Sequence, residues 1–378
     1  MSEWKKVKFL DVVSLNPRIS LEKGVEYPFV EMSNAIPGAR KPEKDVYQKY
    51  SGGGAKFEEG DTVVARIEPC LQNGKGFQCP YKKGFGSTEF LVFRSMNIKE
   101  MDFNFLYYHM GQQSIREAMA KTMVGASGRQ RVNNAVFNDL QINLPPLNIQ
   151  QNIATILSRY DSLIENYQKQ IKLLEEAAQR LYKEWFVDLH FPGHENTKII
   201  DGVPEGWEKK KVGDITPIKT GKKDANFGTS DGAYPFFTCS QEPIKAPSYS
   251  FDTSAVILAG NGDFNVKLYR GKFEAYQRTY VLEPTNEKML YLLYFCISEN
   301  MNRLATGASG STIKFLTKGM IESLVINKPS TIVLDSFNQI IEPIRTQKEN
   351  LQTQIRLLTE ARDRLLPRLM SGEIEMKV

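Results

Sequence analysis

Apolar side chains recur with a strict four-three spacing along one stretch in the middle of the chain. The ten positions are Ile153, Leu157, Tyr160, Ile164, Tyr167, Ile171, Leu174, Ala178, Leu181 and Trp185. This spacing is a heptad seam, and it predicts one long amphipathic helix that packs against another helix. Pro145 and Pro146 disfavour an earlier helical start, and Asn148 followed by Gln151 is typical of a capping box. The helix should therefore begin near Leu147.

The same pattern returns 184 residues later, near the C-terminus. The equivalent positions are Phe337, Ile341, Ile344, Lys348, Leu351, Ile355, Leu358, Arg362, Leu365 and Leu369, of which eight are apolar. Polar positions recur too, since Asn166 and Glu176 return as Asn350 and Glu360. We predict two long helices packed on each other, with the stems of Lys348 and Arg362 covering the seam and their charged ends in water. The alternative is two unrelated amphipathic helices, each lying on its own domain.

The segments that precede the two helices form a second repeat. Each opens with a tryptophan, Trp4 or Trp207, and each closes with the letters GASG, at 125–128 and 307–310, before a strand-like run that ends in proline. Short β-rich runs alternate with turn residues between these flanks. We therefore predict an α+β protein with two globular mixed α/β domains in tandem repeat, separated and joined by two long coiled-coil helices. The predicted limits are 1–147 for the first domain, 148–188 for the central helix, 189–206 for a linker, 207–334 for the second domain, and 335–378 for the C-terminal helix and tail.

Some apolar side chains on the central helix lie outside the seam. They are Ile156, Leu163, Leu173, Tyr182 and Phe186. A two-helix pair does not bury this many additional apolar groups, so they predict a surface that another protein covers. Alternatively, these side chains pack on the globular domains themselves.

The positive charge is concentrated in the two globular segments. The whole chain of 378 residues has a net charge of +5. Residues 1–147 carry 20 Lys and Arg against 16 Asp and Glu, and residues 207–334 carry 16 against 12. This distribution favours two polyanion-binding domains on a nearly neutral scaffold. Because no stretch resembles a signal peptide or a membrane span, we expect a cytoplasmic protein.

Motifs for catalysis are incomplete in this sequence. Asn16-Pro17-Arg18 lacks the second proline and the aromatic residue of an amino-methyltransferase loop, and Gly221-Lys222 lacks the remainder of a phosphate-binding loop. His190 and His194 near Asp188 fit a solvated turn better than a metal site. We therefore predict a binding protein without catalytic residues and without a metal.

The repeated segments resemble the specificity subunit of a type I restriction-modification system over the whole chain. The resemblance is carried by the run Thr306 to Lys314 with the strand after it, by LPPLNIQQNIATIL and LLEEAAQRLYKEWF in the central helix, and by LLPRLMSGEIE in the last helix. It implies two target recognition domains, each of which reads one half of a split double-stranded DNA site, and it implies that the two coiled-coil helices that hold them apart are antiparallel. It also implies that modification (methyltransferase) subunits, expected to be two, dock on the helices and that restriction subunits join through the assembled complex. Methyl transfer and cleavage would belong to those partners, which would hold S-adenosylmethionine, ATP and Mg, while this chain holds no cofactor.

Lys and Arg in loops bind phosphate, and Arg, Lys, Asn and Gln read base edges, so such residues are the candidate DNA contacts. In the first domain they are Arg66, Gln72, Asn73, Lys75, Arg129, Gln130 and Arg131. In the second domain they are Lys222, Lys223, Asn226, Asn261, Lys267, Arg270, Arg278, Thr312 and Lys314. The rival interpretation is a non-catalytic coiled-coil scaffold or adaptor whose globular domains bind protein. Salt-dependent binding to duplex DNA separates the two.

Overall fold

The computed structural model describes residues 4–310 and 314–376. It divides into two compact units. Unit 1 comprises Met1–Gln170 and Leu351–Val378, and unit 2 comprises Ile171–Asn350. Each unit thus contains one globular domain and a section of both long helices. No helix in the described ranges is long and apolar enough to cross a membrane.

The first globular domain, in unit 1, alternates short strands with short helices. Its strands are β1 (Lys5–Lys8), β2 (Val13–Leu15), β3 (Glu26–Val30), β4 (Tyr47–Lys49), β5 (Ala55–Glu58), β6 (Thr62–Ala65), β7 (Gly76–Gln78), β8 (Lys83–Gly86), β9 (Phe90–Ser95) and β10 (Gln141–Leu144). Its helices are α1 (Phe9–Val12), α2 (Phe103–Met110) and α3 (Gln113–Ala120), with a 3-10 turn at Asn134–Phe137.

The second globular domain, in unit 2, follows the same order. Before it, the predicted linker forms a 3-10 turn at His194–Asn196 and a hairpin of β11 (Ile199–Ile200) and β12 (Val203–Pro204). The strands of the domain are β13 (Glu208–Lys211), β14 (Ile218–Thr220), β15 (Tyr234–Phe237), β16 (Ile244–Ala246), β17 (Phe251–Ala259), β18 (Val266–Ala275), β19 (Thr279–Leu282) and β20 (Val325–Lys328). Its helices are α5 (Val212–Ile215), α6 (Leu290–Glu299), α7 (Met301–Gly307) and α8 (Lys318–Glu322), with 3-10 turns at Ala225–Phe227 and Glu287–Met289.

The two domains share one sheet topology. The second domain has a six-stranded sheet in the order β14-β19-β17-β18-β15-β16, and the first has the orders β2-β9-β6-β7 and β4-β3-β8-β5. The difference is that the long hairpin of β17 and β18 is interrupted in the first domain, where β5 pairs with β8 and β6 pairs with β7. In both domains the first strand pairs antiparallel with the last, β1 with β10 and β13 with β20. The tandem repeat predicted from the flanking letters is therefore confirmed.

The predicted seam is confirmed in both long helices. The first, α4, spans Leu147–Tyr182 and continues as a π-helix at Lys183–Val187, and the second, α9, spans Thr331–Met370. None of the twenty seam side chains is exposed. Within unit 2, Glu175 pairs with Lys348 at 2.5 Å, and the rings of Trp185 and Phe337 lie 5.9 Å apart, so the helices run antiparallel there. The alternative of two unrelated helices was wrong.

The two charged seam positions correct the prediction about their ends. Lys348 and Arg362 do not simply reach water, because each makes an ion pair with a carboxylate of α4, Glu175 in unit 2 and Asp161 in unit 1. The heptad pattern identifies the apolar positions, but it does not show which polar side chain of the partner helix faces a charged one.

Candidate nucleic-acid interface

Two loops of the first domain that lie far apart in sequence are joined by backbone hydrogen bonds. Arg131 forms β-bridges with both Ile67 and Val124, and the backbone N–H of Glu68 donates to the carbonyl of Gln130 at 3.0 Å. This pairing brings Arg66, Arg129, Gln130 and Arg131 together, as a shared DNA interface requires.

The turn that follows Glu68 carries the other candidates of the first domain. Gln72 and Asn73 are exposed there, and Gly74 adopts a φ of 70°, which favours glycine at the turn. The side chain of Gln72 donates to Glu68 at 2.9 Å. Lys75 has a structural contact, since its Nζ donates to the carbonyl of Met32 at 3.0 Å. Gln72 and Asn73 are therefore better placed than Lys75 to meet a ligand.

Arg131 is held by a carboxylate that the sequence did not single out. Its guanidinium makes a two-pronged contact with Glu89, with distances of 2.8 Å from Nε to Oε2 and 2.6 Å from Nη2 to Oε1. The hydrogen bond from Arg131 lowers the pKa of the Glu89 carboxyl. Such a forked contact fixes the plane of the guanidinium. The two residues are 42 positions apart, and no local pattern predicts the pair.

In the second domain, four loops meet at one end of the large sheet. The N–H of Gln277 donates to the carbonyl of Lys223 at 2.9 Å, and the N–H of Gly260 donates to the carbonyl of Arg278 at 2.9 Å. Asn261 forms a β-bridge with Phe315. These contacts bring the candidates Lys222, Lys223, Asn261, Arg278 and Lys314 to one end of the sheet.

Three of these side chains are open to solvent, and that of Lys223 has an aromatic partner. Lys222, Arg278 and Lys314 are exposed, whereas the Nζ of Lys223 lies 4.3 Å from the centre of the Phe227 ring. Asn226 is exposed in the adjacent 3-10 turn. Thr312 lies outside the described residues.

Lys267 is the most enclosed of the second-domain candidates at this end. Its Nζ donates to the carbonyl of Ser240 at 2.8 Å and contacts the side-chain oxygen of Asn265. Burial lowers the pKa of the Lys267 amine. Because two of its three N–H donors already have protein acceptors, this lysine supports the 239–240 loop.

Arg270 lies in a different environment, and its role as a DNA contact stays a prediction. It pairs with Ser254 in the middle of the β17–β18 hairpin, away from the loops at the strand ends. Its Nη1 lies 2.9 Å from Oε1 of Glu342 on α9, and its guanidinium lies 5.3 Å from the centre of the Tyr291 ring. The side chain therefore fastens the sheet to the helix, because its charge already has a carboxylate partner.

Equivalent positions of the two interfaces carry different residues. The bridges place Ile67 and Asn261, and Arg131 and Phe315, at the same places of the repeat. Side chains at these places differ in charge, hydrogen bonding and shape. Two interfaces built this way would select different base sequences.

Tyr182 and Phe186 are corrections to the predicted partner surface. Both belong to the core of unit 2, where Phe186 packs edge-on against Phe337 with ring centres 4.8 Å apart. The π-helix at Lys183–Val187 explains the error, because its wider turn places Phe186 and its neighbour Trp185 in the same core. Ile156 is half-buried against the core of unit 1. For these three side chains the structure bears out the alternative that they pack on their own domain.

Leu163 and Leu173 are exposed, as the partner surface requires. Leu173 is 64% exposed, and Leu357, its equivalent 184 residues later, is 51% exposed. The repeat therefore presents one leucine of this kind in each unit.

Comparison with known proteins identifies the class that this fold defines. The model of the type I restriction modification DNA specificity domain matches residues 1–176 and 204–353. The chain belongs to this family.

Relatives and a solved structure agree with that assignment. Over 176 residues the chain is 38% identical to the EcoDI specificity subunit of Escherichia coli, a match that covers 46% of this chain and 39% of that subunit. Over 301 residues it is 27% identical to the MjaIX specificity subunit of Methanocaldococcus jannaschii, covering 72% of this chain and 69% of that one. The crystal structure of a type I system S subunit from M. genitalium has the same fold, with a TM-score of 0.60, 17% identity, and coverage of 99% and 97%. Recognition of DNA sequence is the role these comparisons support, and the adaptor alternative is not favoured.

Proposed function

We propose that this chain recognises a bipartite duplex DNA site, with one globular domain reading each half, and directs modification and restriction subunits to that site. The observation that carries the proposal is the pair of domains with one topology and different residues at equivalent loop positions. We infer recognition domains at 1–147 and 207–334, with 148–188 and 335–378 as the helical spacers and 189–206 as the link. Two domains that share a sheet topology but differ in their loop residues are suited to recognise two different half-sites.

The chain's own role is binding, and the chemistry belongs to its partners. Methyl transfer from S-adenosylmethionine and ATP-driven cleavage with Mg are assigned to the modification and restriction subunits. Two modification subunits are supported by Leu173 and Leu357, which are exposed at equivalent positions of the two helices. Exposed leucines at repeated positions suit two copies of one partner.

A domain exchange tests the proposal. Residues 207–329 are replaced with the matching segment of a relative, and methylated bases in host DNA are mapped with and without each gene. The expected result is a site in which one half changes and the other half stays the same. New methylation at both halves, or none that depends on the gene, contradicts the proposal.

Binding measurements separate this function from an adaptor role. Contacts with phosphate release counterions, so the affinity for duplex DNA should fall steeply between roughly 50 and 200 mM salt. A protein-binding adaptor would show little affinity for duplex DNA in the same assay.

A further inference from the structure

An open cleft on the first domain lies beside the candidate interface and carries a concentration of positive charge. Its volume is about 770 Å³, and its lining includes Asn16, Arg18, Gly54, Lys56, Arg66 and Thr88. No Asp or Glu of the described residues is among the lining side chains. We call the cavity lined by these residues the basic cleft.

The three cations of the basic cleft are without a carboxylate partner among the described residues. Arg18 is exposed. The Nζ of Lys56 lies 5.3 Å from the centre of the buried Tyr50 ring, a contact that orients the side chain without neutralising its charge. Arg66 donates from Nη2 to the carbonyl of Val132 at 3.3 Å, while its buried Nε has no hydrogen-bond acceptor. After the hydrogen bond from Arg131, the charge of Arg66 also helps to lower the pKa of the Glu89 carboxyl. Arg18 and Lys56 therefore carry most of the unpaired positive charge of the cleft, and such charge attracts an anion.

The backbone beside the cleft is bare. Gly52, Gly53 and Gly54 have φ angles of 119°, 78° and 73°, a run in the left-handed region that glycine alone adopts readily. A Cβ on Gly54 would lie 2.5 Å from the carbonyl oxygen of Gly86. The run therefore forms a tight turn before β5, and of the three glycines Gly54 contributes backbone alone to the lining of the cleft.

The basic cleft is continuous with the loops that carry the predicted DNA contacts. The N–H of Arg66 donates to the carbonyl of Glu89 at 2.9 Å, and Glu89 holds Arg131. Thr88, which lines the cleft, directly precedes Glu89. One ligand can therefore contact both the 124–131 loop and the cleft.

The internal repeat gives an independent reason to assign the cleft to the same ligand. Strands β2 and β14 occupy the same place in their sheets, paired with β9 and β19. The segment after β2 carries Arg18, and the segment after β14 carries Lys222 and Lys223. Both domains thus place cations at this position, and of these the sequence predicts only Lys222 and Lys223 as DNA contacts.

We propose that the basic cleft binds a phosphodiester group of duplex DNA through Arg18, Lys56 and Arg66, so that the footprint of the first domain extends beyond its base-reading loops. The proposal rests on the proposed function and adds Arg18 and Lys56 to the binding residues. Phosphate contacts position a protein on DNA without reading sequence. The cleft therefore sets affinity, and the loops set the choice of bases.

The test uses the assembled complex with Arg18→Ala, Lys56→Ala and the double variant. Binding is measured on a duplex with the mapped site and on a scrambled duplex, from roughly 50 to 200 mM salt. Each substitution should reduce the magnitude of the slope of log K against log salt by about 0.9. It should also weaken binding to both duplexes by the same factor. Lys99→Ala is the matched control, because Lys99 is exposed in the loop beyond the opposite end of β9 and should leave the slope unchanged. If loss of the contact with Tyr50 lowers the Tm of Lys56→Ala, Lys56→Met keeps the stem and removes the charge.

The possible outcomes distinguish this proposal from the function on which it rests. If the wild-type complex shows no preference between the two duplexes, the proposed function fails. If the wild type is specific and the variants keep its salt slope, or change base preference instead of slope, the cleft proposal is overturned. Free ATP serves as a competing source of phosphate. The cleft proposal would also be overturned by two results together. ATP would raise the Tm of the wild type but not of Arg18→Ala, and Arg18→Ala would leave the salt slope of duplex binding unchanged.

Discussion

Nη1 of Arg362 lies 2.7 Å from Oδ1 of Asp161, so an ion pair joins the two long helices within unit 1. The hydroxyl of Tyr108 donates to the other carboxylate oxygen at 2.5 Å, and Nη1 of Arg362 also donates to the carbonyl of Gly38 at 2.9 Å. The side chains of Arg362 and Asp161 are only 12% and 4% exposed. Burial opposes the charge of Arg362, but the hydrogen bond and the charge of Asp161 outweigh it and raise the pKa of Arg362. This node fastens the 36–40 loop and α2 of the first domain to both helices.

Arg362→Ala should lower the free energy of unfolding by about 3–5 kcal/mol, because it leaves the Asp161 carboxylate buried without its cation. Denaturant unfolding measures the loss. Arg356→Ala is the matched control, since Arg356 pairs with Glu360 on the exposed face of the same helix and its loss should cost less than about 1 kcal/mol. Equal effects of the two substitutions would show that the buried pair has no special role.

His109 should make the stability of unit 1 depend on pH. Burial lowers the pKa of its imidazole to about 4, and Gln112 donates to its Nδ1 at 3.0 Å. In the unfolded chain the imidazole takes up a proton near pH ~6.5, whereas in the folded chain it stays neutral until the pH approaches 4. The free energy of unfolding is therefore undiminished above pH ~6.5 and falls by up to roughly 3 kcal/mol as the pH falls towards 4. His109→Phe should flatten the decline of Tm across this window, whereas His190→Gln, at an exposed position of unit 2, should keep it. A wild-type decline that survives in His109→Phe would assign the effect to other groups.

Arg270 and Arg278 should respond differently to substitution. Arg270→Ala removes the pair with Glu342 and should lower stability by about 1 kcal/mol, because both side chains are partly exposed, without changing the salt dependence of DNA binding. Arg278 lies in the loop interface, so Arg278→Ala should reduce the magnitude of the salt slope of DNA binding by about 0.9 without lowering Tm. If Arg270→Ala reduced the salt slope and Arg278→Ala lowered stability instead, the result would support Arg270 as a DNA contact.

The exposed leucines should serve assembly, and the buried aromatic residues should serve folding. Leu163→Glu, Leu173→Glu and Leu357→Glu should weaken co-purification with modification subunits while the Tm stays the same. Phe186→Ala should instead destabilise the protein by about 3–5 kcal/mol, because it opens a cavity in the core of unit 2. Undiminished co-purification of the leucine variants would place the partner surface elsewhere.

The two helices should act as a spacer between the half-sites. Adding seven residues at equivalent positions of α4 and α9 keeps the seam in register and lengthens each helix by about 10 Å. At about 3.4 Å for each base step, the gap between the two half-sites should grow by about three base pairs. The base sequences of both half-sites should stay the same. Methylation mapping would contradict the spacer role if an active complex kept the original gap.

The sequence by itself determined the features that depend on local periodicity and on internal repetition. The seam from Ile153 to Trp185, the helical start at Leu147 and the equivalence of the two domains are all properties of neighbouring positions or of matching letters. Since one apolar stripe must be buried, twenty seam positions could be assigned without knowledge of their partners. The resemblance to a specificity subunit depended on these same features.

Only the tertiary structure decided which cations are available to bind DNA. Arg131 meets Glu89 across 42 residues and Arg270 meets Glu342 across 72, while Arg18 and Lys56 meet at one cleft although neither is among the DNA contacts predicted from the sequence. A π-helical turn buried Phe186 where the heptad pattern predicts an exposed position. Charge pairing and side-chain burial depend on contacts between distant segments, and the chain forms those contacts only when its sheets and helices pack.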